Sequence, residues 1–144
     1  AFNSLQKSLI QTTIVDNSAR STNPYNNVTY WNNGGNEYAC ENTRDKVFLF
    51  SEYDVTNLAY GFNSTAETED ATRQLKSSDY AKSQGCWQYS GSGVYQENCW
   101  WWLRSPHYDN NTLAMSIDSD GYFHKYGSVH VTSYGVVPAL WIAL

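Results

Sequence analysis

The stretch from Thr112 to Tyr134, TLAMSIDSDGYFHKYGSVHVTSY, constrains the fold more than any other part of the chain, because its character repeats every second residue. Side chains alternate across a strand, so a period of two marks a β-hairpin with two chemically distinct faces. Leu113, Met115 and Ile117 are apolar, and beyond the turn signal DSDG the residues Phe123, Val129 and Val131 continue the same parity. These are expected to face the core. The even positions Tyr122, His124, Tyr126, Ser128, His130, Thr132 and Tyr134 then share the opposite face, which is polar and aromatic together.

Two readings compete for that face. Tyr and Thr are good strand formers, and a solvated sheet surface would use them. Against this, all three histidines of the chain, His107, His124 and His130, fall in this one quarter, and neither Lys nor Glu stands at the even positions. Tyr, Ser and His offer large amphipathic contact area at low entropic cost, the composition of a binding surface. The face is therefore read as ligand-binding, extended by the loop His107, Tyr108, Asp109, Asn110 and Asn111.

Upstream, FNSLQKSLIQ carries Phe2, Leu5 and Leu9 at helical spacing and reads as an amphipathic helix. Residues 17–41 are dominated by Asn, Ser, Thr, Gly and Tyr, which suits a long surface loop. KVFLF, residues 46–50, reads as a short buried strand. A helix should follow, with Ser51 and Asp54 as a capping box, Val55, Leu58 and Ala59 as its apolar stripe and Gly61 as its end. SSDYAKSQG repeats the pattern with Ser78 or Asp79 as cap and Gly85 as stop. Beyond Gly85 the chain reads as strands and turns: a hairpin around SGSG, an aromatic strand CWWWL ended by Pro106, the alternating hairpin and a last strand VVPALWI. Helices first and antiparallel strands later predict a single α+β domain over residues 1–144.

The 144 residues, 41% hydrophobic and 16% aromatic, suffice for one substantial core. Nine Lys plus Arg against 14 Asp plus Glu give a net charge of -5, with the basic residues scattered, which argues against nucleic acid as a partner. No apolar run is long enough to cross a bilayer, so direct membrane insertion is not expected. The chain opens Ala1-Phe2-Asn3 without Met, and reads as a piece of something longer. Cys40, Cys86 and Cys99 show no CxxC spacing, so neither a zinc site nor a full disulfide framework is indicated. One bridge stays open, because Cys86 and Cys99 flank the turn-rich YSGSGVYQEN, and the alternative is three buried thiols. Sequons at Asn27, Asn63 and Asn110 are weak signals in a chain this rich in Asn, Ser and Thr.

No nucleophile, base and orienting group stand together at recognisable spacing, so the domain is not read as an enzyme, and no cofactor is expected. His124 and His130 would make a strained ligand pair, and DSDG offers two carboxylates in what is more economically a hairpin turn, so no metal is assigned. In WWLRSP, Trp100 and Trp102 should face one way and Trp101 the other, so at least one side is core, and Trp101 or its neighbours are assigned to the core before any ligand. Arg104 reads as a structural partner of a carboxylate or backbone carbonyl.

DKVFLFSEYDV, DYAKSQG, WWLRSP and YGVVPALWI, joined by VDNSARSTNPY and ACENT, resemble in this order a bacterial family of domains labelled DUF6273. The resemblance covers nearly the whole chain. It implies a C-type lectin-like fold, a superfamily that includes the formylglycine-generating-enzyme type and the variable proteins of diversity-generating retroelements. The family's usual ending is close to GVRPALWI, and Val137 stands here in place of its Arg. A reactive cysteine pair of the formylglycine-generating type does not map onto Cys40, Cys86 or Cys99 by motif. Neither Glu-Pro-Asn, Gln-Pro-Asp nor Trp-Asn-Asp is present, so the resemblance implies no calcium-dependent sugar site. In the retroelement-diversified proteins, adenine-directed mutagenesis of Asn-type codons yields Asn, Asp, Tyr, His, Ser, Thr and small apolar residues, but never Lys, Glu or Trp. The even positions and His107 to Asn111 fit that palette, and Val137 could come from such a codon. The resemblance thus implies a recognition module of a bacterium or its phage, displayed on a cell surface, secreted or carried on a phage particle, with a protein or glycan ligand on a cell surface. A calcium-independent carbohydrate-binding or adhesion domain of a bacterial surface protein is the alternative.

Overall fold

Local signals build the N-terminal half, and the computed structural model describes residues 2–19, 36–65 and 68–143. Asn3 accepts a hydrogen bond from the Gln6 amide while the Gln6 side chain accepts from the Asn3 amide, and this reciprocal cap starts α1 (Ser4–Leu9). Its apolar residues Phe2, Leu5 and Leu9 are exposed, so the expected stripe is not part of the core. β1 (Ile10–Gln11) and β2 (Thr13–Val15) follow, and β3 (Thr43–Asp45) pairs antiparallel with β2. The strand expected over residues 46–50 shortens to β4 (Phe48–Leu49), half-buried rather than buried.

The helix expected after Ser51 is instead two 3-10 turns, Asp54–Thr56 and Leu58–Tyr60. The Ser51 and Asp54 side chains do cap each other's backbone amides, and Gly61 does end the segment with a φ of 86°. Asn57 divides it. Its backbone is extended and its side chain accepts from the Ala59 amide, the competition for backbone groups that makes Asn a poor helix-interior residue. Val55 is consequently buried, while Leu58 and Ala59 turn to solvent. The second expected helix is present as α2 (Asp79–Ser83), capped by Ser78 and stopped by Gly85.

Residues 86–99 form turns rather than a two-stranded hairpin, yet their ends meet, since the Tyr89 amide donates to Asn98 O and the Glu97 amide to Tyr89 O. β5 (Trp101–Pro106), β6 (Leu113–Ile117), β7 (Phe123–Ser128) and β8 (Gly135–Val136) then make a four-stranded sheet in the order β7-β6-β5-β8, antiparallel except where β5 meets β8. The last strand expected from VVPALWI is divided into β8, β9 (Pro138–Ala139) and β10 (Trp141–Ile142). Each piece pairs with a different element: β8 with β5, β9 with β4, and β10 with β1, so the first strand closes on the last. Two short helices and several mostly antiparallel sheets make an α+β domain. No helix among the described residues is long and apolar enough to cross a membrane.

The core lies on one side of the four-stranded sheet, where Trp101, Leu103, Met115, Ile117 and Phe123 pack with Val55, and Phe50, Phe62, Leu75 and Val137 close its edge. Arg73, fully buried, ties the loops to this core: its Nε donates to Gly121 O, its Nη2 to Thr68 O, and its Nη1 meets the Asp70 carboxylate at 3.2 Å.

The expected parity holds as far as His124 and then fails. Ala114 pairs with Gly127 and Ser116 with His124, so three residues of β6 face four of β7, and a one-residue bulge intervenes. A bulge of one residue reverses which side chains face which way. Gly127, not Tyr126, therefore lies opposite Ala114, and a Cβ on Gly127 would meet the Trp102 ring at 2.7 Å. β7 ends at Ser128, where the Val131 amide turns back to Ser128 O, and Val129 is 49% exposed. Val129 and Val131 are thus not the core residues that the alternation predicted.

Candidate functional site

The face of the sheet opposite the core is paved with rings. Trp102, Ser116 and His124 form one row across β5, β6 and β7, because each is the Cα partner of the next. Trp100, just before β5, lies beside that row with its ring centroid 4.8 Å from His124 and 5.1 Å from Tyr134. Tyr134 also lies 4.7 Å from Trp102, drawn in because the Gly135 amide donates to Trp100 O. The layer continues through Tyr126, 6.5 Å from His124 and 5.5 Å from His107, to Tyr108 at 4.4 Å from His107. At its other end Trp87 meets Trp100 edge-on at 6.2 Å. Offset and tilted pairs of this kind add cohesion beyond area burial.

Electrostatically the layer is nearly neutral. Burial pushes His107 below the usual histidine range, a tendency the neighbouring Asp109 carboxylate opposes, and burial likewise lowers His124. Both are then neutral imidazoles near pH 7, able to offer one donor and one acceptor each. The Asp109 carboxylate, 3.1 Å from His107 Nδ1, favours the tautomer that leaves Nε2 as an acceptor. Among the described residues His107 Nε2, His124 Nδ1 and Ser116 Oγ are buried without a hydrogen-bond partner. Such atoms carry a desolvation cost that a partner would relieve.

The residues predicted for the site are only partly brought together. His124, Tyr126 and Tyr134 lie in the ring layer, with His107 and Tyr108 at its edge. His107 is 3% exposed and lies within the layer rather than on a free loop. Tyr122 is exposed in the turn before β7, its amide held by Asp118 and Asp120. Ser128 lies beyond the bulge, and His130 and Thr132 are exposed in the segment after the strand, off the sheet. Asp109 and Asn111 are exposed, while the Asn110 side chain accepts from the Thr112 amide and hydroxyl. Of the sequons, Asn110 is half-buried, Asn63 is exposed, and Asn27 lies outside the described residues. Trp87, Trp100, Trp102 and Ser116 were missed. For Trp100 and Trp102 the alternation in CWWWL was the available signal, whereas nothing local marks Trp87.

A second concavity, about 610 Å³, opens elsewhere between Ile14, Phe48, Tyr53, Tyr60, Trp141 and Arg104. Tyr60 and Trp141 meet edge-on at 5.8 Å on its wall. Arg104 is held at its base by the Asp54 carboxylate, Leu49 O and Asp16 O, with its guanidinium 5.9 Å above the Phe48 ring. Arg104 thus has the structural partners its sequence context predicts, and its Nε has no acceptor among the described residues. The described residues contain no group of three or more His, Cys, Asp or Glu able to hold a metal ion.

Neither a curated protein nor a solved structure matches the chain. The family model described as a domain of unknown function, DUF6273, matches residues 1–144, and the chain belongs to that family.

Proposed function

We propose that this domain is a non-enzymatic recognition module with a C-type lectin-like scaffold, a retroelement-diversified variable protein whose ring-paved sheet face and adjoining segments contact a protein or glycan ligand on a cell surface. The observation that carries the reading is the ring layer that runs from Trp87 to Tyr108 across the outer sheet face. A surface meant only for solvent has no need of that much aromatic area. Closure of β1 on β10 supports a scaffold role, because it ties the first described strand to the last and frames the residues between them.

The exchangeable positions are then the exposed ones, Asp109, Asn111, Tyr122, Tyr126, His130 and Thr132, while buried His107 and Ser116 are constrained by packing. Deep sequencing of the 3′ end of the gene in its source population tests this. Substitutions confined to adenine positions, at those codons and copied from an imperfect flanking repeat, are expected. An invariant end without a repeat overturns the diversified reading.

The wide cleft favours a second reading, a fixed carbohydrate ligand bound without calcium. Its Tyr60 and Trp141 rings could stack on a sugar while Asp54 and Arg104 reach hydroxyl groups. A glycan-array signal lost in Trp141→Ala but kept in Tyr126→Ser would favour this reading.

A further inference from the structure

The two cysteines that bracket residues 87–98 converge on one point. A Cβ built on Gly135 would lie 3.5 Å from Cys86 Sγ and 3.5 Å from Cys99 Sγ, so both thiols flank the same glycine. Their backbones are braced on every side. The Trp87 amide donates to Ser133 O at 2.7 Å, Tyr89 to Asn98 O at 2.8 Å, Cys99 to Leu75 O at 2.9 Å and Gly135 to Trp100 O at 2.7 Å. Gly135 has no side chain to separate the sulfurs, and any larger residue would place its Cβ in contact with both.

We propose that Cys86 and Cys99 are a disulfide-forming pair, oxidised by exchange with a small-molecule disulfide. Cys86 is half-buried and Cys99 is 4% exposed, so exchange begins at Cys86. Its thiolate attacks one sulfur of the small disulfide RSSR, forming a Cys86 mixed disulfide and releasing RS⁻, which takes up the proton Cys86 lost. Cys99 then gives up its proton and attacks Cys86 Sγ, expelling the second RS⁻, which takes that proton. In sum two thiols and RSSR become one protein disulfide and two RSH.

Burial pushes the Cys99 thiol up to about 12, with the Cys86 charge adding to the effect, so the second step, which needs the Cys99 thiolate, is the slower of the two. A disulfide removes the charged form from consideration. A metal centre would instead require that thiolate to persist, and the described residues supply no third ligand. The bridge costs little in hydrogen bonding, because the Leu75 carbonyl that accepts from the Cys99 thiol also accepts its amide.

The inference goes beyond the recognition reading and does not depend on it. Its position is nevertheless informative, because Trp87 and Trp100 directly follow the two cysteines and meet edge-on in the ring layer. A bridge would pin those rings together, and such bonds persist where surroundings are oxidising.

The test uses the full chain carrying Cys40→Ser, since Cys40 is exposed and would react independently. After incubation with oxidised glutathione and removal of the excess, the intact mass is expected to fall by two hydrogens, with no reactive thiol left and a Cys86–Cys99 peptide on digestion. The oxidised form should melt roughly 5–10 °C above the reduced form, as closing a loop of this length predicts. Further replacement of either Cys86 or Cys99 by Ser should leave a glutathione adduct or a free thiol and no rise in Tm. A stable glutathione adduct on Cys86 in the Cys40→Ser protein, or two thiols that still titrate, would overturn the proposal.

Discussion

The two faces of the four-stranded sheet are built from the same three strands and differ in how their chemistry is used. On the inner face Trp101, Met115, Ile117 and Phe123 are buried, and the one polar group among their rings, Trp101 Nε1, donates to Arg73 O at 3.2 Å. On the outer face Trp100, Trp102, His124, Tyr126 and Tyr134 are half-buried or exposed, and polar atoms of His107, His124 and Ser116 lack partners among the described residues. The inner face has its polar groups satisfied and its area spent on stability. The outer face keeps exposed aromatic area in reserve, which is what contact with another molecule requires.

That contrast can be broken by substitution. Trp101→Ala should be the most damaging, costing about 3–5 kcal/mol by chemical denaturation, since it empties the largest side chain of the inner face. A cost below 1 kcal/mol would mean that the inner face is not the core. Gly127→Val attacks the outer layer from below, forcing a side chain into the Trp102 ring and Ala114 O, for about 1–3 kcal/mol and a change in near-UV tryptophan dichroism. Unchanged dichroism would show that the rings do not pack as one layer.

A smaller effect should appear with pH. Asp118, in the turn between β6 and β7, is pushed up to about 7 by burial and then by its hydrogen bond and repulsion with Asp120. The folded state therefore holds this proton more tightly than the unfolded chain, in which a carboxyl titrates near 3.9. Its contribution to stability is fully present below about pH 4 and is lost as pH rises through about 7. Tm measured from pH 4 to pH 8 should decline more steeply in the native chain than in Asp118→Asn, and identical slopes would exclude the shift. The smallest effect is expected for Tyr126→Ser, which should alter stability by about 0.5 kcal/mol or less because the side chain is 63% exposed. A loss of several kcal/mol would make Tyr126 a packing residue and remove it from the contact surface.

Much of this was legible locally. Alternation put Trp101 on one face and Trp100 and Trp102 on the other without deciding which was core, and it placed Met115, Ile117 and Phe123 inside. The caps at Ser51, Ser78 and Gly61 were readable because each depends on residues within a few positions. Val129, Val131 and Ser128 were misplaced because a bulge leaves no periodic mark of its own. Arg73 was not singled out, since its partners at Thr68, Gly121 and Asp70 meet only when distant loops close over the sheet.

The sequence by itself therefore determined the α+β class, the turn and cap chemistry and the two-faced character of the hairpin, all of which are set by side-chain periods and near-neighbour hydrogen bonds. Tertiary structure alone decided that the last segment is shared among three partner strands, that β7 reverses its parity at Gly127, and that Cys86, Cys99 and Gly135 meet. Those features depend on register between segments far apart in the chain, and register follows from packing the whole sheet at once.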